Sequence, residues 1–163
     1  MRTLHDFAKS LYRMSNQMHN GLADGVHKTA TRVVANSKKR LGHYQEGWVV
    51  LKPETVRRKM TKNASAMRRM MKKHGSVTAT GGSADSPLVD DGLLRGSITL
   101  KTDRHRLRSE VGSSLIYAAT HEYGDESRGI PERPYLRPAL KEEVETHLIA
   151  DLQAGLKRRI LLR

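Results

Sequence analysis

Residues 87–113 read PLVDDGLLRGSITLKTDRHRLRSEVGS, and how this stretch folds decides the fold class. Ile98, Leu100 and Thr102 alternate with Thr99 and Lys101, the two-residue period of a half-buried strand. Leu107, Ser109 and Val111 then face one way while Arg106, Arg108 and Glu110 face the other. The link around Asp103, Arg104 and His105 is short enough to make the two strands antiparallel neighbours. Ahead of them, Asp90 or Asp91 is placed to cap a short turn carrying Leu93 and Leu94.

The periodicity on either side of this hairpin is helical. Upstream, Val56, Met60, Ala64, Met67 and Met71 line one side of Thr55–His74, with Arg57, Arg58, Lys62, Arg69, Lys72 and Lys73 around the rest. Pro53 suits the first helical turn, where its missing N–H would have had no partner. The segment GSVTATGGSADSP that follows is small and polar, and is expected to be a mobile loop. Further upstream, Leu4, Phe7, Ala8, Leu11, Met14 and Met18 form an amphipathic stripe. Gly21 and Gly25 interrupt it before Val26, Ala30, Val33, Val34 and Leu41 resume, which predicts one long helix with a kink.

Downstream, Tyr117, Ala118, His121 and Glu122 suit a short helix stopped at Gly124. Pro131 and Pro134 hold the next segment extended. A final helix is predicted from about Pro138, with Glu142, Glu143 and Glu145 early and Lys157, Arg158 and Arg159 late, as the helix dipole favours. Its apolar residues Leu140, Val144, Leu148, Leu152, Leu156 and Ile160 recur every fourth position, so the stripe drifts around the helix and calls for a broad core or a neighbouring subunit. The expected class is α+β: a small antiparallel sheet with a β-hairpin, flanked by a long N-terminal and a C-terminal helix. A single domain over 1–163 is expected, divided into an N-terminal helical region at 1–46, a basic helix plus mobile loop at 52–86, and a sheet and C-terminal helix core at 87–163.

Charge separates the chain into halves. The net charge is +13, and residues 1–80 carry all of the excess, with 17 Lys and Arg against 4 Asp and Glu. Between Lys52 and Lys73 lie nine basic residues and a single acid, Glu54, a field that attracts phosphate, acidic protein or an anionic membrane surface. No aromatic side chain interleaves with them, so nucleic-acid contact there would be to backbone phosphate, not to bases. The chain has no cysteine, which excludes disulfides and thiolate chemistry, and neither a membrane span nor a signal-peptide core is read in it; a reducing cytosol is the expected compartment.

The pair His121–Glu122 raises the question of metal or catalytic chemistry. A zinc-protease helix places a second His four residues on, and that place is held by Asp125. A metal-dependent nuclease using Asp90, Asp91, His121 and Glu122 is the enzymatic alternative, though helix capping accounts for the two aspartates as well. No G-x-S-x-G elbow occurs. The expectation is therefore a protein without catalytic residues, metal or cofactor.

Four segments in series, GWVVLKPETVRRK, SPLVDDGLLRGSITL, EVGSSLIYAATHEYG and IPERPYLRPAL, span Gly47 to Leu140 and resemble the virion-morphogenesis or tail-completion proteins of tailed bacteriophages, relatives of the head-tail joining minor proteins. Glu132, where the family commonly has a small residue, and the lengthened basic middle are departures from its pattern. The resemblance implies a structural subunit, not an enzyme, assembled in the host cytoplasm into a homo-oligomeric ring, hexameric by analogy, at the head-tail junction of the virion. Its partners would be neck, connector and tail proteins, or the DNA backbone in the lumen, and not a membrane. Arg57, Arg58, Arg68, Arg69, Arg133 and Arg137 are the expected partner-facing residues. Tyr117, His121, Tyr135 and Leu136 are expected to form a packing corner. A basic nucleic-acid-binding protein, a regulator or packaging-associated factor, is the alternative that the charge supports, although no helix-turn-helix or zinc module is recognisable.

Overall fold

A computed structural model describes residues 3–74 and 84–160. Its elements run α1 (Leu4–Arg40), α2 (Pro53–His74), α3 (Leu93–Ser97), β1 (Ile98–Asp103), β2 (Arg108–Ser113), α4 (Ile116–Tyr123), a 3-10 turn at Glu126–Arg128 and α5 (Leu136–Ile160). The two strands form one antiparallel hairpin, so the chain has the α+β class expected of it. Residues 75–83, most of the expected mobile loop, lie outside the described residues. The end of that stretch is anchored, because Ser86 and Pro87 are buried and Pro87 O accepts the Gly42 N–H at 2.9 Å.

The residues fall into two compact units that cut across the sequence regions. The first joins α1 up to Asn36, Thr99–Gly112 of the hairpin, and α5. Here α1 and α5 run antiparallel: Gly21 sits against Gly155, Gly25 against Leu152, and Asn36 Nδ2 donates to Glu143 Oε1 at 2.7 Å. Gly21 and Gly25 therefore do not interrupt α1. They let two helix backbones approach where any Cβ would meet the opposite main chain. The buried residues of α5 are Ala139, Asp151 and Gly155, whereas Leu140 and Val144 of the predicted stripe are exposed and Leu148, Leu152 and Leu156 only half-buried.

Ion pairs tie the unit together. Asp151, nearly buried, accepts from Lys28 at 2.8 Å and Arg32 at 3.0 Å. Asp24 accepts from Arg104 of the hairpin turn and from Arg158 and Arg159 of α5 at 2.6–2.9 Å. Burial works against the Asp24 charge, yet these hydrogen bonds hold its carboxyl well below the usual range. At the start of α1, Thr3 and Asp6 exchange side-chain to backbone hydrogen bonds at 3.2 and 3.1 Å, a capping box that satisfies two orphan donors.

The second unit joins Ser37–Ile98 to Ser113–Tyr135 around a core of Leu41, Trp48, Leu94, Ile98, Ala118 and Tyr135. Pro53 opens α2 as expected. The predicted apolar stripe of that helix finds little cover: Val56 is half-buried, while Met60, Ala64 and Met67 are exposed. Neither Asp90 nor Asp91 caps α3, whose N-cap is Gly92 in the left-handed region; both aspartates instead pair with Lys62 of α2, at 2.8 and 2.6 Å.

Candidate interaction surfaces

The stretch around His121 resolves into a packing corner organised by its neighbour. Glu122 is buried and accepts the Tyr135 N–H at 2.8 Å, while the His121 carbonyl accepts the Arg133 N–H at 2.7 Å. The chain turns sharply between them because Gly124, at φ +76, lies where a Cβ would touch the Glu132 nitrogen. Asp125 caps the following 3-10 turn, accepting from Ser127 Oγ at 2.6 Å and from the Arg128 backbone and guanidinium. These acids thus serve turns and backbone donors, and among the described residues no three His, Asp or Glu side chains gather as metal ligands would. Tyr135 is fully buried, Leu136 and His121 half-buried, and Tyr117, more exposed, meets the His121 ring edge-on at 5.9 Å.

Arg133 is not exposed as expected: it is only 7% exposed, its guanidinium donating to Val49 O at 2.9 Å. The arm it sits on is fixed by prolines and by the hydrogen bonds of Arg133 and Tyr135 to α4, which draw the side chain inward. Arg137 is exposed, as are Arg57, Arg58, Arg68 and Arg69 on α2, and none of these four α2 guanidiniums meets a carboxylate among the described residues.

Arg133 lines a cavity of about 1050 Å³ contained within the second unit. The walls come from Val49–Lys52, the start of α2, residues 88–90 and residues 126–133. Lys59 enters it half-buried, donating to Ser86 O and Val89 O, each at 2.6 Å. Burial disfavours the charge on both Arg133 and Lys59. Burial, and then the Arg133 charge, also lower the pKa of His121, so its imidazole favours the neutral form.

A second surface lies on α1. Leu4, Phe7, Leu11, Met14 and Met18 follow one another at alternating three- and four-residue steps, and all are exposed. The same register continues through Gly21, Gly25, Lys28 and Arg32, which is the face that α5 covers. One heptad-like seam is therefore covered along its second half and open along the first. From Leu4 to Met18 the open part is about 22 Å long at 1.5 Å per residue. Sequence periodicity showed this stripe but not which part of it the described residues of α5 cover.

No family model matches the chain, and no solved structure matches it. A protein of Methanocaldococcus jannaschii described only as uncharacterized is 42% identical over 36 residues, which covers 22% of this chain and 27% of that protein. The matched segment thus spans well under half the length of either chain.

Proposed function

We propose that this chain is a structural subunit of a tailed bacteriophage, assembling with copies of itself into a closed ring at the tail top or neck and completing the tail for joining to the head. The observation that carries the assembly is the open half of the α1 seam. Each Leu, Phe or Met side chain buried there would contribute about 1.5–3 kcal/mol. A contiguous apolar stripe rimmed by polar residues is the usual mark of a protein contact. The role in the virion rests on the resemblance of the four segments between Gly47 and Leu140. The hairpin, the proline-fixed arm and the helices supply the different faces that a ring subunit must present to its two neighbours. No catalytic group is assigned.

The test is the mass of the assembly. Wild-type protein, alone or on purified tails, is expected as a closed multimer, and Phe7→Asp with Leu11→Asp should yield monomers of unchanged helical content. Tails assembled with that variant should fail to attach to heads. A single copy per particle would refute the proposal. The four exposed arginines of α2 favour the second reading, a basic nucleic-acid-binding protein. Sequence-independent, salt-sensitive DNA binding by a chain that never multimerises would move the assignment there.

A further inference from the structure

The cavity around Arg133 is lined by Lys52, Arg58, Lys59, Lys62 and Arg133 against the carboxylates Asp90 and Glu126, more positive charge than the described lining balances. Lys62 at its edge is matched by Asp90 and Asp91. Arg133 and Lys59 are met by backbone carbonyls alone, which satisfy donors without cancelling charge. Among the described residues neither cation forms an ion pair, and the buried Arg133 Nε has no hydrogen-bond partner. Asp90 and Asp85 ease the Lys59 charge from a distance, but Arg133 opposes it, as it also opposes protonation of His121. Buried arginines are ordinarily paired. This one has the donors and the recess, and no carboxylate meets it among the described residues.

The walls say what carries the anion. Val50, Leu51, Val89, Ile130 and Pro131 make much of the lining apolar, and the volume is that of a pocket for a few side chains. Duplex phosphates lie on the outside of a stiff rod and do not reach a guanidinium set this deep; the exposed arginines of α2 are the groups such a backbone would meet. We propose that the cavity receives an extended segment of another protein in which an Asp or Glu stands between apolar residues. Its carboxylate is held by Arg133 and Lys59, and its neighbours lie against Val50, Leu51 and Pro131. A charged fork facing a carboxylate is the strongest pairing open to Arg133. The site lies in one subunit, so it can be tested on dissociated chains, and its failure leaves the ring untouched.

The probe is the blocked peptide Ac-Leu-Glu-Val-NH2, with its Gln counterpart as control, titrated into protein labelled with nitrogen-15 at arginine. The Arg133 Nε–H signal, assigned by its loss in Arg133→Lys, should shift saturably with the Glu peptide, which should bind about tenfold more tightly than the Gln peptide. Lys59→Gln should weaken the Glu peptide severalfold and leave the Gln peptide as it was, which keeps the site testable if Arg133→Lys does not fold. Equal binding of the two peptides would overturn the proposal, as would an unmoved Arg133 signal at about 1 mM peptide. So would a short DNA duplex or inorganic phosphate that shifts Arg133 where the Glu peptide does not; that outcome would assign the cavity to a phosphate.

Discussion

Adding one methyl group at Gly25 sets two effects of opposite sign against each other. Alanine is better than glycine in a helix by about 1 kcal/mol, so propensity alone predicts a gain. A Cβ at Gly25, however, would stand 2.7 Å from Leu152 Cα and 2.9 Å from both Asp151 O and Leu152 N. Carbon atoms rest at about 3.5–4.0 Å, so α5 must retreat by about 1 Å, and the obstacle is main chain that cannot rotate aside. Overpacking of this kind costs about 1–3 kcal/mol, and a backbone clash belongs at or above the top of that range. The expected net effect of Gly25→Ala is a loss of about 2 kcal/mol, or about 4–8 °C in thermal midpoint for a chain of this size. Gly96→Ala is the control, because nothing lies within 4 Å of its added Cβ; it should be neutral or stabilise by up to about 1 kcal/mol. Thermal and urea denaturation followed by far-ultraviolet circular dichroism measures both. If Gly25→Ala proved as stable as wild type, the close approach of α1 and α5 would be wrong.

Tyr135 separates volume from polarity. Its side chain is fully buried, its hydroxyl has no partner among the described residues, and its pKa is pushed up to about 12, chiefly by burial. Tyr135→Ala should therefore cost about 3–5 kcal/mol in chemical denaturation, whereas Tyr135→Phe should cost nothing or stabilise slightly. Asp24 sets an acid limit: its folded pKa is depressed, so its stabilisation is present above the unfolded value near 3.8 and is lost as pH falls through the folded value. Asp24→Asn should lower the thermal midpoint at neutral pH and flatten its fall below about pH 4, and parallel curves for the two proteins would contradict this. Replacing Arg57, Arg58, Arg68 and Arg69 with Gln should leave stability nearly unchanged, since all four are exposed. If α2 contacts DNA, the variant should also show a shallower dependence of binding on salt.

The sequence made most elements legible because their signals are local. Alternation at Ile98–Thr102 marks a strand, Pro53 a helix start and Gly124 a stop, and each holds. What escaped depended on partners far along the chain. Gly21 and Gly25 look like breaks until Gly155 stands opposite, and a G-x-x-x-G spacing was the available clue to a close helix crossing. Arg133 looks like surface, since arginine usually is; the hydrogen bonds that turn it inward come from His121 and Val49, which no periodicity relates to it. Asp90 and Asp91 fit a capping pattern, but Lys62 offered them a full charge instead. In the cavity, Lys59 was indistinguishable from its basic neighbours because burial is what sets it apart.

The pairing of α1 with α5 also bears on how the chain is made. The ribosome finishes α1 at Arg40 and reaches α5 only at Leu136. At about 5–20 residues per second, the first helix waits several seconds to tens of seconds for its partner. During that interval its whole seam, from Leu4 through Arg32, is uncovered. Contacts such as Gly25 with Leu152 close a very long loop, so they are slow to form even after release. Nascent chains on neighbouring ribosomes could meet through α1 before either has folded, and chaperone demand during expression should fall most with substitutions in the Leu4–Met18 stripe.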